Sequence, residues 1–258
     1  MQFLIDVGNT RLKWARLVHG KLTHHGSATH RGSLDSALAS LSAALPEDVA
    51  RVLVANVAGD DVARRLTELA RAHSSVMPEF VATTAEAFGV RCAYADPARL
   101  GVDRWVGVLA AHRLAAGPAC VIGAGTAVTF DAVDAQGTHL GGLIFAGARL
   151  AAAALDAQTS NIGATAPSGA RPAGLDLLGK STDAAVGNGA MLALAAALDR
   201  AVAAVDAALG ARSHVYLTGG DGPYFRGWLE TETELRADLV LEGLALFAAR
   251  SGDAAGRT

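Results

Sequence analysis

The chain has 258 residues, 51% of them hydrophobic, and carries a formal net charge of −3 at pH 7. This length allows one large domain or two of ordinary size with a substantial core, and the apolar content excludes an intrinsically disordered chain. The absence of a basic excess argues against nucleic acid as the main partner. Apolar runs stay shorter than the ~18 residues of a transmembrane span, so we expect no membrane partner either.

The two cysteines, Cys92 and Cys120, do not have the spacing of a metal site or a disulfide framework. We interpret both as reduced thiols, which predicts a cytoplasmic protein. The N-terminal segment reaches Asp6 after a few apolar residues and offers no small-residue cleavage site. We therefore expect no signal peptide.

The first half of the chain begins with strands joined by tight turns and continues with alternating helices and strands. Its apolar patterning predicts an antiparallel meander, a helix capped by Ser33, a buried strand, a helix opened by Asp60 and Asp61, a short strand and a further helix. The predicted strands and the last helix are Phe3–Val7, Leu12–Val18, Leu22–Ser27, Val52–Val57, Phe80–Ala82 and Arg104–Leu114.

The second half repeats this order. Its predicted elements are a hairpin of 121–133 with 139–145, a helix from about 147, a long helix over 183–209, a strand over 215–218 and a closing helix over 239–249. The segment 160–179, rich in glycine and proline, is expected to be exposed or to lie against a partner. The pattern predicts an α/β fold with two similar halves, 1–115 and 116–258, and an active-site cleft between them.

Two glycine corners stand at equivalent places in the two halves, at Asp6–Thr10 and at Gly123–Thr126. A glycine corner after a buried strand lets backbone N–H groups converge on an anion, so we predict that both turns hold the phosphates of a nucleotide. Asp6 could bind Mg²⁺ through water, with the Thr10 hydroxyl and Lys13 nearby. The alternative is that these residues only shape a hairpin and that Thr126 is an ordinary strand residue.

Two further motifs have a functional and a structural interpretation. Thr218–Gly222 forms a third glycine corner, suited either to a base or ribose or to a plain turn between strand and helix. Asp103 and Arg104 open an apolar helix, where an acid is often only a cap. A carboxylate beside a guanidinium also suits phosphoryl transfer to an alcohol, because one group can accept the hydroxyl proton while the other holds substrate.

Residues Gly174–Ser181 match the P-loop pattern G-x-x-x-x-G-K-[ST]. A P-loop needs a hydrophobic strand before it, whereas residues 164–173 are broken by proline and glycine, and leucines inside the loop would crowd a phosphate. We therefore predict that this match is not a P-loop, although Lys180, Ser181 and Thr182 could meet a substrate at a helix start. The eight histidines show no metal or catalytic spacing and are interpreted as ordinary surface or core residues.

Five motifs, in order along nearly the whole chain, resemble those of type III pantothenate kinases, which belong to the superfamily of acetate and sugar kinases, heat-shock chaperones and actin. They are Asp6-Val-Gly-Asn-Thr10, Gly101-Val-Asp-Arg104, Gly125-Thr-Ala-Val-Thr-Phe-Asp131, Gly141-Gly-Leu-Ile144 and Thr218-Gly-Gly-Asp221. The resemblance implies a duplicated ribonuclease-H-like fold. It also implies transfer of the ATP γ-phosphate to pantothenate, giving 4′-phosphopantothenate, the first step of coenzyme A biosynthesis.

The resemblance assigns roles to residues of this chain. ATP and its Mg²⁺ would be held by Asp6, Val7, Gly8, Asn9, Thr10, Arg11, Leu12, Lys13 and Thr126, with Asp6 facing the metal. Pantothenate would be bound by Tyr94, Gly101, Val102, Asp103, Arg104 and Thr182, with Asp103 as the proton acceptor. The resemblance further implies a homodimer in which Thr182 reaches the substrate from across the interface.

Two departures from the family pattern stand out. Relatives commonly have Asp at the position of Gly123, and that acid is associated with a monovalent cation, K⁺ or NH₄⁺, so the glycine weakens the expectation of a cation requirement. Ala146 replaces a proline that follows the Gly-Gly strand. Two alternatives remain, a regulatory nucleotide-binding protein resembling an accessory transcription factor and a P-loop NTPase. The joint presence of Asp6, Asp103 and Arg104 disfavours the regulatory protein.

Overall fold

The structure is a computed structural model that describes residues 1–74, 76–160, 162 and 171–250. The predicted loop at 160–179 therefore lies partly outside the described residues. The first elements form a five-stranded sheet with two helices, followed by a short hairpin and a third helix. They are β1 Gln2–Val7, β2 Arg11–Val18, β3 Lys21–Thr29, α1 Leu34–Ala44, β4 Arg51–Asn56, α2 Asp60–Ser74, β5 Pro78–Phe80, β6 Glu86–Ala87, β7 Val90–Arg91 and α3 Val102–Leu114.

The remaining elements form a second five-stranded sheet with three helices, and a final helix. They are β8 Ala119–Ala124, β9 Ala127–Val133, β10 His139–Ala146, α4 Ala148–Gln158, α5 Thr182–Leu209, β11 His214–Thr218, α6 Gly222–Arg226, β12 Glu234–Leu235 and α7 Leu239–Arg250. Within the described residues, none of these helices combines the length and the apolar content needed to cross a membrane.

The two sheets have the same topology. The first has the strand order β3-β2-β1-β4-β5 and the second has the order β10-β9-β8-β11-β12. In each, the first three strands in the chain are antiparallel and the last two are added in parallel. This repetition confirms the expected α/β fold, a duplicated ribonuclease-H-like arrangement.

Alternation along β1 gives the first sheet two apolar faces. Phe3, Ile5 and Val7 pack into a core that includes residues of α1 and α2. Leu4 belongs to a separate core on the other face, together with residues of α3 and α7. Because successive side chains of a strand point to opposite faces, Asp6 must share the face of Leu4.

Contacts divide the chain into two compact units. The first comprises Met1–Ala110 and the C-terminal segment from Asp238, and the second comprises Ala111–Ala237. The sequence placed the closing helix in the second half, whereas α7 packs in the first unit. The reason is its burial, since Leu241, Leu244 and Ala248 join the core on the Leu4 face of the first sheet.

Several elements differ in extent from their prediction. The short strand lies at Pro78–Phe80 instead of 80–82, and α3 starts at Val102 instead of Arg104. The hairpin β6–β7 was not predicted, because two-residue strands carry no alternation signal. The turn between its strands has positive φ at both Phe88 and Gly89.

Candidate active site

The first glycine corner joins β1 to β2. The Gly8 N–H donates to the carbonyl of Arg11 at 3.0 Å, which closes the turn. The end of β3 and the residue after it hold the corner: the His30 N–H donates to the Thr10 carbonyl at 2.9 Å, and the Thr29 hydroxyl donates to the same oxygen at 3.1 Å. The His30 ring nitrogen Nε2 lies 2.7 Å from the Gly8 carbonyl oxygen.

Asp6 lies one residue before the end of β1, on the face where α3 packs. Its strand neighbour in β2 is Lys13, so the two side chains are directly opposite each other across the antiparallel pair. The same face carries Val102 and Val106 of α3 in its core. The first turn of α3, with Asp103, is thereby brought towards the Asp6 carboxyl group.

The environment of Asp6 disfavours its charge. Burial, together with the negative charge of Asp103, raises the pKa of Asp6 from an ordinary 3.8 to about 7, and the positive charge of Lys13 offsets part of this rise. A carboxyl group with this pKa is ready to accept a cation, because a bound cation would favour the ionised form. The donor chemistry therefore fits Mg²⁺, a hard ion that prefers oxygen ligands.

Asp103 stands in the first turn of α3 and is half-buried. Its Oδ1 accepts a hydrogen bond from the backbone N–H of Arg104 at 2.8 Å. A Cβ at Gly101 would lie 2.8 Å from the same Oδ1, so any residue other than glycine at this position would force the Asp103 carboxylate to move. This close approach explains the glycine of the Gly-x-Asp-Arg motif in this chain.

Arg104 is a nearly buried cation, with 9% of its surface exposed. Its Nη1 donates to the Tyr94 hydroxyl at 3.2 Å, and its guanidinium carbon lies 6.0 Å from the centre of the Tyr94 ring. The Thr83 hydroxyl, bonded to the Leu100 carbonyl at 2.8 Å, ties the start of the segment that carries Tyr94 to its end. A fixed guanidinium beside a phenol is suited to bind a carboxylate or hydroxyl groups of a substrate.

The second unit contains its own glycine corner, between β8 and β9. The Gly125 N–H donates to the Ala127 carbonyl at 3.1 Å, and the Gly147 N–H donates to the Thr126 carbonyl at 3.0 Å. Gly219, with φ +94°, comes so close to β8 that a Cβ there would lie 2.1 Å from the Ala124 carbonyl oxygen. The glycine corner after β11 therefore packs directly against the corner after β8.

An ion pair also lies at the corner after β11. Arg149 Nη2 donates to both carboxylate oxygens of Asp221, at 2.5 and 2.6 Å. The Asp221 N–H donates to the Ala124 carbonyl at 3.0 Å, which adds a second link between the corners after β8 and β11.

A family model described as type III pantothenate kinase matches residues 2–204. The type III pantothenate kinase of Nitrosococcus oceani is 37% identical over 255 residues, which cover 96% of this chain and 94% of that protein. This chain belongs to the type III pantothenate kinase family. The family expected from the sequence is thereby confirmed, and with it the class of ATP-dependent kinases, which in general use ATP with Mg²⁺.

Two solved structures share the fold of this family member at low sequence identity. A Campylobacter jejuni protein assigned to the Baf family of transcriptional activators superposes with a TM-score of 0.57 at 16% identity, covering 97% of this chain and 99% of that one. The activator of 2-hydroxyisocaproyl-CoA dehydratase from Clostridium difficile, with bound ADPNP, gives a TM-score of 0.54 at 11% identity. The match covers 100% of this chain and 98% of that one. Identities this low support the fold alone.

Within this type III pantothenate kinase, the predicted site residues fall into three groups. Those from Asp6 to Lys13 lie at the end of β1, in the corner and at the start of β2, and Tyr94 with Gly101–Arg104 lies in the same unit. Thr126 and Thr182 belong to the second unit, Thr126 in the corner between β8 and β9 and Thr182 at the start of α5. The binding roles of these residues stay predictions.

The P-loop pattern does not have the geometry of a P-loop. Residues Gly174–Leu177 form a 3₁₀ turn, and the described residues before it, 171–173, are not a strand. Leu175 and Leu178 are 80% and 66% exposed. The Lys180 Nζ lies 3.5 Å from the Asp176 Oδ1. Ser181 caps α5 by accepting from the Ala184 N–H at 3.2 Å, which leaves Thr182 exposed in the first turn.

Gly123 occupies in β8 the place that Asp6 has in β1. A Cβ at Gly123 would lie 2.6 Å from the Thr129 hydroxyl oxygen, so the Thr129 side chain occupies the space that a side chain at Gly123 would need. Glycine has no side-chain oxygen, and the described residues hold no cluster of three or more His, Cys, Asp or Glu. The donor set at Gly123 does not fit the carboxylate-bound monovalent cation that the family pattern implies.

The sequence did not single out His30. Its position after an edge strand and its lack of a metal or catalytic spacing made it an ordinary histidine, yet its ring contacts the first glycine corner. Only the strand pairing of β2 with β3 brings it there.

Proposed function

We propose that this protein is a pantothenate kinase that transfers the γ-phosphate of ATP to the primary hydroxyl of pantothenate, forming 4′-phosphopantothenate in the first step of coenzyme A biosynthesis. The observation that carries the proposal is the pairing of Asp6 and Asp103 beside the first glycine corner, in a chain that belongs to the type III family. The charge of Asp103 raises the pKa of Asp6, and two neighbouring carboxyl groups of this kind suit a metal ligand and a base.

In this proposal the corner between β1 and β2 holds the phosphates. Its backbone N–H groups and the Thr10 hydroxyl meet phosphate oxygens, and Lys13 neutralises part of their charge. Asp6 holds the Mg²⁺ that accompanies ATP. When bound, this ion supplies charge neutralisation on the phosphate oxygens. Thr126 is a further proposed contact of ATP, as the resemblance to the family implies.

The acceptor site is formed by Tyr94, Arg104 and the first turn of α3. Arg104 pairs with the carboxylate of pantothenate, while Asp103 orients the attacking hydroxyl and accepts its proton. The hydroxyl oxygen forms a bond to the γ-phosphorus as the bond between that phosphorus and the β–γ bridging oxygen breaks. ADP leaves with that oxygen, and the proton ends on the Asp103 carboxylate.

We also propose a homodimer. Exposed apolar side chains lie on the neighbouring elements β10 and α4, with Leu143, Ile144, Leu150 and Leu155 between 44% and 63% exposed. Leu143 and Ile144 point to opposite faces of the sheet, so the exposed apolar groups flank the edge strand β10, and an exposed apolar edge of this kind is a surface that a partner can cover. The proposal includes the family feature that Thr182 contacts pantothenate bound to the partner subunit.

A cytoplasmic location completes the proposal. Both cysteines are free, and burial raises the pKa of the Cys120 thiol to about 11. A thiol with this pKa remains protonated and unreactive, so the proposed compartment rests on the two free cysteines.

A coupled assay of ADP release tests the proposed reaction. The purified protein is assayed with MgATP, with and without pantothenate, and against a panel of other small alcohols. We expect ADP release only with pantothenate and a product whose mass has increased by one phosphate. ATP binding without turnover on any alcohol would contradict the proposal and favour a regulatory nucleotide-binding protein.

The same assay separates the kinase from a P-loop NTPase. Lys180 contacts Asp176 on the surface and lies outside the first glycine corner. Lys180→Ala should therefore leave ATP affinity unchanged, whereas a P-loop lysine would be needed for it. Loss of ATP binding in this variant would contradict the assignment of the phosphate site.

A further inference from the structure

His30 is a half-buried histidine that contacts the first glycine corner with both its backbone and its ring. Its ring nitrogen Nε2 lies 2.7 Å from the carbonyl oxygen of Gly8. Its own N–H donates to the Thr10 carbonyl at 2.9 Å. Since a carbonyl oxygen can only accept, Nε2 must carry a proton, and the neutral ring is the Nε2–H tautomer.

The contact with the Gly8 carbonyl fixes the direction of one peptide plane. In a trans peptide the C=O and the following N–H point in opposite directions. When the Gly8 carbonyl turns to His30, the N–H of Asn9 points to the opposite side of the corner. A turn binds an anion only when its N–H groups face the anion and its carbonyls face away.

We propose that His30 is a positioning residue for the nucleotide phosphates. Its ring N–H holds the Gly8 carbonyl away from the corner, so that the Asn9 N–H faces the phosphate chain of ATP. This inference rests on the proposed function, because it needs the corner between β1 and β2 to be the phosphate site.

The structure allows the ring to be tested separately from the backbone. The bond from the His30 N–H to Thr10, and the bond from the Thr29 hydroxyl to the same oxygen, do not involve the ring. His30→Ala therefore removes the contact to Gly8 and leaves these two bonds in place. The side chain of Gln can place an amide N–H at the position of Nε2, whereas the side chain of Asn is too short to reach the Gly8 carbonyl.

The experiment compares His30→Gln, His30→Asn and His30→Ala with the wild type. Affinity for MgATP is measured by titration calorimetry, and the KM values for ATP and pantothenate are measured in the kinase assay. We expect Ala and Asn to weaken ATP binding about tenfold, as the loss of one oriented hydrogen bond implies. Gln should remain within about threefold of wild type, and the KM for pantothenate should change in none of them.

The matched control is His24→Ala. His24 is an exposed histidine in β3 whose ring contacts its neighbour Thr23 at 3.2 Å. It should leave the affinity for ATP unchanged.

Two results with the variants would overturn the inference alone. One is an Ala variant with wild-type ATP affinity. The other is an equal loss for Gln, Asn and Ala with both KM values raised, which would make His30 a residue of general stability only. A wild-type protein that binds no MgATP would overturn it together with the proposed function.

The two proposals can fail separately. If the wild type binds MgATP and the variants follow the expected order, but pantothenate is not phosphorylated, the proposed function is wrong and the role of His30 stands. If the wild type phosphorylates pantothenate and His30→Ala is unaffected, the role of His30 is wrong and the proposed function stands.

Discussion

Asp6 is a residue whose surroundings reduce the stability of the folded chain. Asp6 is half-buried near the end of β1 and lies close enough to Asp103 for the two charges to repel. A position chosen for stability alone would carry a neutral side chain. Local destabilisation of this kind is typical of residues kept for binding or catalysis.

Replacing Asp6 by Asn should stabilise the ligand-free protein at alkaline pH. The folded-state pKa of about 7 lies above the ordinary 3.8, so the folded state binds the proton more tightly than the unfolded state. Stability is then lost as pH rises from about 4 through 7. Between pH 5 and pH 8 the advantage of Asp6→Asn should grow by on the order of 2 kcal/mol, about 5 °C in melting temperature.

Thermal unfolding of the two proteins across this pH range, without nucleotide, measures the effect. Asp48→Asn changes an exposed aspartate of the same unit and serves as the control. A difference in melting temperature that does not depend on pH would contradict the raised pKa.

Asp103→Asn tests the proton acceptor. The amide preserves the size of the side chain and can still accept from the Arg104 N–H, but it cannot take up the proton of the attacking hydroxyl. We expect ATP affinity to remain within about twofold while kcat falls about 10²- to 10⁴-fold. A turnover with pantothenate within about twofold of wild type would show that Asp103 is not the base.

At the scale of elements, the turn after β11 depends on close backbone approach, whereas a Cβ at Gly8 or Gly125 would make only ordinary contacts in the turns after β1 and β8. Gly219 combines positive φ with contact to the β8 backbone, whereas Gly210, the C-cap of α5, has φ +62° and nothing within 4 Å of its missing Cβ. Alanine at Gly210 would therefore meet only the strain of a left-handed backbone, whereas alanine at Gly219 would meet that strain and a steric clash as well.

Gly219→Ala should lower the free energy of unfolding by about 3 kcal/mol or more, because its Cβ would meet backbone atoms that cannot move independently. Gly210→Ala should cost only about 1 kcal/mol, the usual price of a non-glycine residue in the left-handed region. Denaturant unfolding of both variants gives the comparison. Equal losses would contradict the packing of the corner after β11 against β8.

At the scale of the whole molecule, the exposed apolar side chains of β10 and α4 form the surface we assign to the dimer. Ile144 is 63% exposed on an edge strand, and Leu150 on α4 is 48% exposed. A charge at such a surface opposes association, because it would have to be desolvated in the interface.

Ile144→Glu should convert the dimer to a monomer and raise the KM for pantothenate, since Thr182 would no longer reach the partner's substrate. Light scattering after size exclusion and the kinase assay measure the two effects. Met77→Glu is the matched control, because Met77 is 57% exposed but belongs to the first unit, whereas β10 and α4 belong to the second. A wild-type protein that is already monomeric would contradict the proposed interface.

Some features were predictable from local pattern alone. Strand alternation, glycine corners and helix caps depend on neighbours in the chain, so β1, β2, α1 and α5 were found close to their observed bounds. The order of motifs was enough to predict the family and the repeated fold.

Other features depend on residues that are distant in the sequence and become neighbours only in the folded chain. The pKa of Asp6 depends on burial and on Asp103, and the contact of His30 with Gly8 depends on the pairing of β2 with β3. The assignment of α7 to the first unit follows from the apolar face it covers. Sequence alone determined the elements and the chemistry available to them, whereas packing decided which charged and polar groups meet, because burial and electrostatic interaction depend on distance in space.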